Sequence, residues 1–277
     1  MLGSPSVMTF NVADDETEPP ANPSDDAEAF VRQHYYDFLN REPDPEGLKF
    51  WAGGIEAGGT DAGCRQVKRV DTSAAFFLSI EFQETGYLAY KTYGAAFGTR
   101  RAGGAVPLTL REFLRDAQTI GAGGVVNQCD WQARLEANKQ AYFEEFVSRP
   151  SFVAQYPAAM TAAQFVDSLN ANAGGALTQA ERDGLVARLG AGQISRGRAL
   201  REVAENAAFS EREKNRAFVL MQYFGYLRRN PEDLPDADFS GYDFWLGKLN
   251  QFGGDYVQAE MVKAFLQSIE YRQRFSQ

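Results

Sequence analysis

Apolar residues recur with a helical period along most of this chain. Phe30, His34, Tyr35, Phe38 and Leu39 fall on one face at helical spacing. So do Leu110, Phe113, Leu114 and Ala117, and again Trp131, Leu135, Tyr142 and Phe146. Glycine pairs at Gly53-Gly54, Gly58-Gly59, Gly103-Gly104, Gly174-Gly175 and Gly253-Gly254, with the glycine-rich run at 121–124, mark the expected turns. From Asp26 onward the pattern predicts an all-α fold. One stretch departs from it: residues 6–14, SVMTFNVAD, alternate Met8, Phe10 and Val12 with Val7, Thr9 and Asn11, which is a strand period. A single strand is not stable alone, and the acidic, proline-bearing DDETEPPANPSDD that follows has a linker composition. Residues 1–27 are therefore expected to be the remnant strand of an upstream β domain, followed by an acidic disordered linker.

An internal repeat organises the rest. Residues 30–51 read FVRQHYYDFLNREPDPEGLKFW, and residues 218–245 read FVLMQYFGYLRRNPEDLPDADFSGYDFW. Phe30, Tyr36, Leu39, Arg41 and Pro43 meet Phe218, Phe224, Leu227, Arg229 and Pro231; after a short insertion, Gly47, Phe50 and Trp51 meet Gly241, Phe244 and Trp245. Both copies close alike, Ser79-Ile80-Glu81-Phe82 against Ser268-Ile269-Glu270-Tyr271. Weaker closings stand between them, FVSRPSF at 146–152 and VAENAAF at 203–209, giving four units, two clear and two degenerate. A unit this small buries little apolar surface by itself, so the units are expected to share a continuous core, as a pair at 28–157 and a pair at 158–277. The structural signature is Arg41, Pro43, Asp44, Gly47, Trp51, Glu81 and Phe82 in the first copy and Arg229, Pro231, Gly241, Trp245, Glu270 and Tyr271 in the last. The first helix should stop before Pro43 or Pro231. The second should start on an Asp44 N-cap with Pro45 at its first position, or on Ser240 with Asp243 three residues on. Trp51 and Trp245 are expected to be buried at equivalent places.

Charge and cysteine content narrow the function classes. The net charge is −9, but seven acidic residues lie in 1–28 without a Lys or Arg, so the remainder carries only −2. No net basic excess exists to drive phosphate-backbone binding, and nucleic acid is not an expected partner. No apolar run of membrane-spanning length occurs, so membrane insertion is not expected either. Cys64 and Cys129 form neither a disulfide framework nor a metal motif; two buried free thiols are the expectation, with a single bridge between them as the alternative and the redox compartment left open.

Candidate chemistry is thin. The single histidine, His34, has Gln222 as its counterpart in the last unit, which suits a hydrogen-bonding core residue better than a general base. Activated nucleophile motifs and phosphate-cradling glycine loops are missing, so no catalytic residue and no cofactor are expected. Asp236, Asp238 and Ser240 before Gly241 imitate the opening of a calcium loop, with a looser echo in Glu42, Asp44 and Glu46 before Gly47. The closing glutamate falls on Gly247 or Gly53, so helix capping explains the same residues. The pairs Phe50-Trp51 and Phe244-Trp245 could stack on sugars, yet their repetition points to packing.

The pattern YxxFLNREPDPEGLxFW, with AAFFLSIEF downstream, resembles the 4214 family of domains of unknown function, and at fold level the helical linker domains of phycobilisomes. The leading TFNVADDE resembles the last strand of a Calx-beta-type repeat. The resemblance implies a repeated helical domain of large secreted or surface bacterial proteins, S-layer proteins included. It also implies a cysteine near Gly58-Gly59 to pair locally; only Cys64 is present. The expected function is that of a non-enzymatic module acting in cell-surface attachment or assembly, extracellular, with a surface protein or glycan as partner. The alternatives are a glycan-binding module and an envelope-acting hydrolase.

Overall fold

The computed structural model describes residues 22–99, 107–124 and 129–275. Among them every regular element is helical. The strand at 6–14, with its Calx-beta likeness, lies outside the described residues. Within the described part of the linker expected up to residue 27, Pro23–Asp25 form a 3-10 turn with Ser24 buried, and Asp26 caps the first helix through the Ala29 amide.

The helices group in threes. Unit 1 holds α1 (Ala27–His34, continued by a π-helical turn Tyr35–Leu39), α2 (Pro45–Glu56) and α3 (Ala62–Leu78). A corner leads into the short α4 (Ile80–Glu84) and on to unit 2, with α5 (Gly86–Phe97), α6 (Leu110–Gly121) and α7 (Trp131–Phe146). After α8 (Pro150–Gln155), unit 3 holds α9 (Ala162–Asn172), α10 (Gln179–Gly190) and α11 (Arg196–Ala204). Unit 4 holds α12 (Ala207–Met221, continued by a π-helical turn Gln222–Leu227), α13 (Ser240–Gln251) and α14 (Met261–Gln267), closed by α15 (Ile269–Gln273).

Three local devices recur in this frame. The first is a side chain that returns to the carbonyl four residues back near the end of each unit's first helix. His34 bonds Phe30 O at 2.7 Å, Thr92 bonds Leu88 O at 2.8 Å, Ser168 bonds Gln164 O at 2.8 Å and Gln222 bonds Phe218 O at 2.9 Å. Such back-bonding perturbs the helix ladder. Six residues later each chain turns through a positive φ, at Asn40, Gly98, Gly174 and Arg228. The second device is the N-cap of the second helix: Asp44, Thr109 and Thr178 accept the amide three residues on. In unit 4 the cap is not Ser240 as the sequence suggested; α13 follows Phe239 and the Ser240 amide is taken by Asp238 Oδ1 at 2.8 Å. Asp238 stands three residues before Gly241 as Asp44 does before Gly47, but the carboxylate beside that glycine and the Arg229 guanidinium is Asp236. The third is the corner, where Ser79, Asn206 and Ser268 cap the next helix and Arg149 stands at the same point. Three residues on, Phe82, Phe152, Phe209 and Tyr271 are all buried.

Packing makes one core of these units. Every residue of α5 from Gly86 to Ala96 is buried, as a helix without a polar face requires, and α5 packs against α6, α9, α11 and α12. The pairs 28–157 and 158–277 share this core, and the first and last units meet directly. Phe38 stacks edge-on to its own counterpart Tyr226 at 5.3 Å, and α3 packs on α14. Gly225 is required there, because a Cβ would collide with the Phe38 ring. Buried Asp37 receives Arg274 at 2.9 Å and its carbonyl receives Arg228 at 3.2 Å. The chain's two described ends are tied by Arg272, bidentate on Asp25 at 2.8 and 2.9 Å, and by Asn22 on Arg272 O.

The structure departs from the pattern reading in two further ways. Gly53-Gly54 is not a turn but lies inside α2. Cys64 and Cys129 are free and exposed rather than buried. Cys64 sits in the first turn of α3 and Cys129 next to the N-cap Asp130 of α7, so neither faces a core.

Candidate functional site

In units 1 and 4 the signature residues converge on two equivalent grooves. The positive-φ residue ends the first helix and sends the next side chain, Arg41 or Arg229, back across to the corner of the same unit. Arg41 clamps Glu81 with two bonds of 2.6 and 2.7 Å; Arg229 clamps Glu270 with bonds of 2.6 and 3.1 Å. Each guanidinium also lies over a tyrosine, Tyr35 at 4.9 Å and Tyr223 at 5.3 Å. This bidentate geometry suits arginine and not lysine. The first helix stops before the proline in both copies, at Leu39 and Leu227, as expected; Pro231 is buried and its carbonyl accepts Arg229 at 3.2 Å.

The glycine of the second helix has a specific reason. A Cβ on Gly47 would collide with Tyr35 Oη, and one on Gly241 would sit 2.7 Å from Tyr223 Oη. Both phenols are pushed above their usual range by burial first, with Asp44 or Asp236 adding to it, so both remain protonated at neutral pH.

The aromatic pairs are not core. Phe50 is 70% exposed and Phe244 61%, each set edge-on against its tryptophan at 5.0 and 5.1 Å. Trp51 and Trp245 are half-buried, packed on Phe76 and Phe265 and lining the grooves. The expectation of two buried tryptophans is corrected accordingly. Repetition reflected a shared surface, because residues at the second turn of α2 and α13 face the channel between helix and corner. Ile80 lines the unit 1 groove and is 60% exposed; its counterpart Ile269 is 74% exposed, a match that the repeated Ser-Ile-Glu box already contained. The unit 1 groove measures about 1010 Å³ and the unit 4 groove about 210 Å³.

Units 2 and 3 show what this fold does without that set. At the place of Trp51, Asp116 is fully buried in unit 2 and Leu185 is buried in unit 3. Asp116 is clamped by Arg149 at 2.7 and 3.0 Å, and the same guanidinium donates to Tyr93 at 3.0 Å, the counterpart of Tyr35. The Arg41–Glu81 pair is replaced by Thr99 and Ser151 in unit 2 and by Gly175 and Ala208 in unit 3. Arginine, glutamate, tryptophan and exposed phenylalanine are kept together or lost together.

The other candidates are committed within the fold. His34 is buried, its ring nitrogens bonded to Phe30 O and to Ser73 Oγ, and burial pushes its pKa down to about 3. The neutral ring therefore donates from Nδ1 and accepts from Ser73, which also meets Tyr226 Oη. Asp236 accepts Arg229 at 2.6 Å and Asp238 the Ser240 amide, so the two carboxylates of the calcium-like loop answer different protein donors. Among the described residues, no group of three His, Cys, Asp or Glu side chains is placed to hold a metal, and no helix is long and apolar enough to cross a membrane.

Residues 16–86 match DUF4214, a domain of unknown function. The DUF4214 match spans unit 1 as far as its corner, so it contains Arg41, Trp51 and Glu81 of the first groove; the second groove lies beyond the matched residues. No curated protein and no solved structure matches the chain.

Proposed function

We propose that this chain is a non-catalytic helical module of a larger exported bacterial protein, working by contact in cell-surface attachment or assembly. The observation that carries the reading is the pair of equivalent grooves with exposed aromatic rims. Units 2 and 3 fold without the Arg-Glu-Trp-Phe set, so folding alone does not demand it; contact with something outside the chain gives it a purpose. The sealing of the single histidine in the core supports contact over acid-base chemistry. Two sites on one rigid core also raise the effective concentration for a second contact.

A glycan partner is the second reading, favoured by the exposure of Phe50 and Phe244 beside groove carboxylates. Either way the chain should sediment with intact envelopes of its source cells, and Phe50→Ala with Phe244→Ala should weaken that without lowering the melting temperature. Equal sedimentation with stripped envelopes, or undiminished binding by the double variant, would remove the support for attachment through these grooves. Quenching of tryptophan fluorescence by a neutral oligosaccharide would favour the glycan reading.

A further inference from the structure

We propose that the unit 1 groove receives a basic side chain, lysine or arginine, presented by an extended segment of a protein partner; this rests on the attachment reading and names its contact. The two grooves differ at the position one helical turn after the tryptophan. In unit 4, Lys248 follows Trp245 by one helical turn, and its Nζ lies 5.4 Å from the indole centroid, within cation–π range. The same position after Trp51 is Gly54. Trp51 thus lacks the ammonium that its counterpart draws from its own helix.

Two further observations agree. Three carboxylates, Asp44, Glu46 and Glu81, line the unit 1 groove against one guanidinium, Arg41, which Glu81 already holds bidentate. A cation arriving at Trp51 meets an aromatic face and unbalanced negative charge together, so charge complementarity selects a basic group over a neutral or acidic one. Gly54 itself has no packing reason: a Cβ there would meet nothing within 4 Å. Glycine inside a helix is less stable than alanine, so leaving this position bare favours access to the ring over helix stability.

The absence of a clash supplies the test. Gly54→Lys should install the sister unit's lysine over Trp51 and occupy the site from within. Gly53→Lys adds the same charge one residue away, also into open space, and serves as control. Fluorescein-labelled hexalysine, titrated at low ionic strength, should bind the native chain and weaken with salt. Gly54→Lys should lower affinity about tenfold, as loss of one cation–π contact with its charge complement would. Gly53→Lys should stay close to native, and Lys248→Ala should add a second, weaker site. Far-ultraviolet spectra confirm that each variant is folded. Equal losses in Gly54→Lys and Gly53→Lys, or no hexalysine binding to the native chain, would overturn the proposal. Binding of neutral maltohexaose that Gly54→Lys abolishes, without hexalysine binding, overturns the basic partner while leaving attachment standing. Failure of the native chain to associate with envelopes overturns the attachment reading itself.

Discussion

At the residue scale, burial sorts chemically similar side chains into different roles. Phe82 is fully buried at a corner, whereas Phe50 is 70% exposed on a groove rim. Phe82→Ala should cost about 3–5 kcal/mol, as core aromatic truncations do, and Phe50→Ala less than about 1 kcal/mol because little area is lost; urea melts of the two variants check this. His34 gives a pH signature. Its folded pKa is about 3 because burial opposes the charged ring, while the unfolded value is near the ordinary 6.5. Below pH 6.5 the unfolded chain binds the extra proton, so this contribution is fully present above that pH and is lost as pH falls toward 3. The slope from one such group approaches about 1.4 kcal/mol per pH unit. His34→Gln, which copies Gln222, should flatten the stability profile between pH 6.5 and 5; an unchanged profile would show that the ring is not the titrating group.

At the element scale, four different side chains perform the same back-bond, and serine or asparagine caps three of the four corners. The fourth turns at Arg149 without a side-chain cap, so the acceptor stabilises the corner without being required for it. Ser79 Oγ accepts the Phe82 amide at 3.1 Å and Ser268 Oγ the Tyr271 amide at 3.1 Å. Ser79→Ala and Ser268→Ala should each lower stability by about 1 kcal/mol. Because the two caps share no partner, their effects should add in the double variant. A much larger combined loss in chemical denaturation would show the corners to be coupled.

At the scale of the whole molecule, the seam between first and last units decides cooperativity. Phe38 on Tyr226, Tyr226 on Ser73 (153 residues apart), which also holds His34, and Arg274 on Asp37 (237 residues apart) join the first unit to the last. The long sequence separation makes these contacts expensive in loop entropy, so they form only with the rest of the core. Urea unfolding followed by tryptophan fluorescence and by far-ultraviolet circular dichroism should therefore give coincident, single transitions. Gly225→Ala, which overpacks the seam against Phe38, should shift both curves together by about 1–3 kcal/mol. Separate transitions for the two probes would mean that the units melt independently.

The sequence by itself determined what depends on neighbours within a turn or two. Helical periodicity, the Asp44 cap with Pro45, the repeated Arg-Pro and Ser-Ile-Glu boxes and the match of the first copy to the last were all legible, because local geometry sets them. Where the boxes meet was not: Arg41 and Glu81 are 40 residues apart, and only the return of α3 to the end of α1 brings them within a hydrogen bond. Exposure was the other gap. Repetition of Phe-Trp reads the same for a shared core and a shared surface, and the difference is decided by which side of α2 the corner closes over. The same limit hid Gly53-Gly54 inside a helix and placed both cysteines outside. A pattern fixes the face of each helix, but the partner that covers that face, or leaves it open, is settled only when all four units pack.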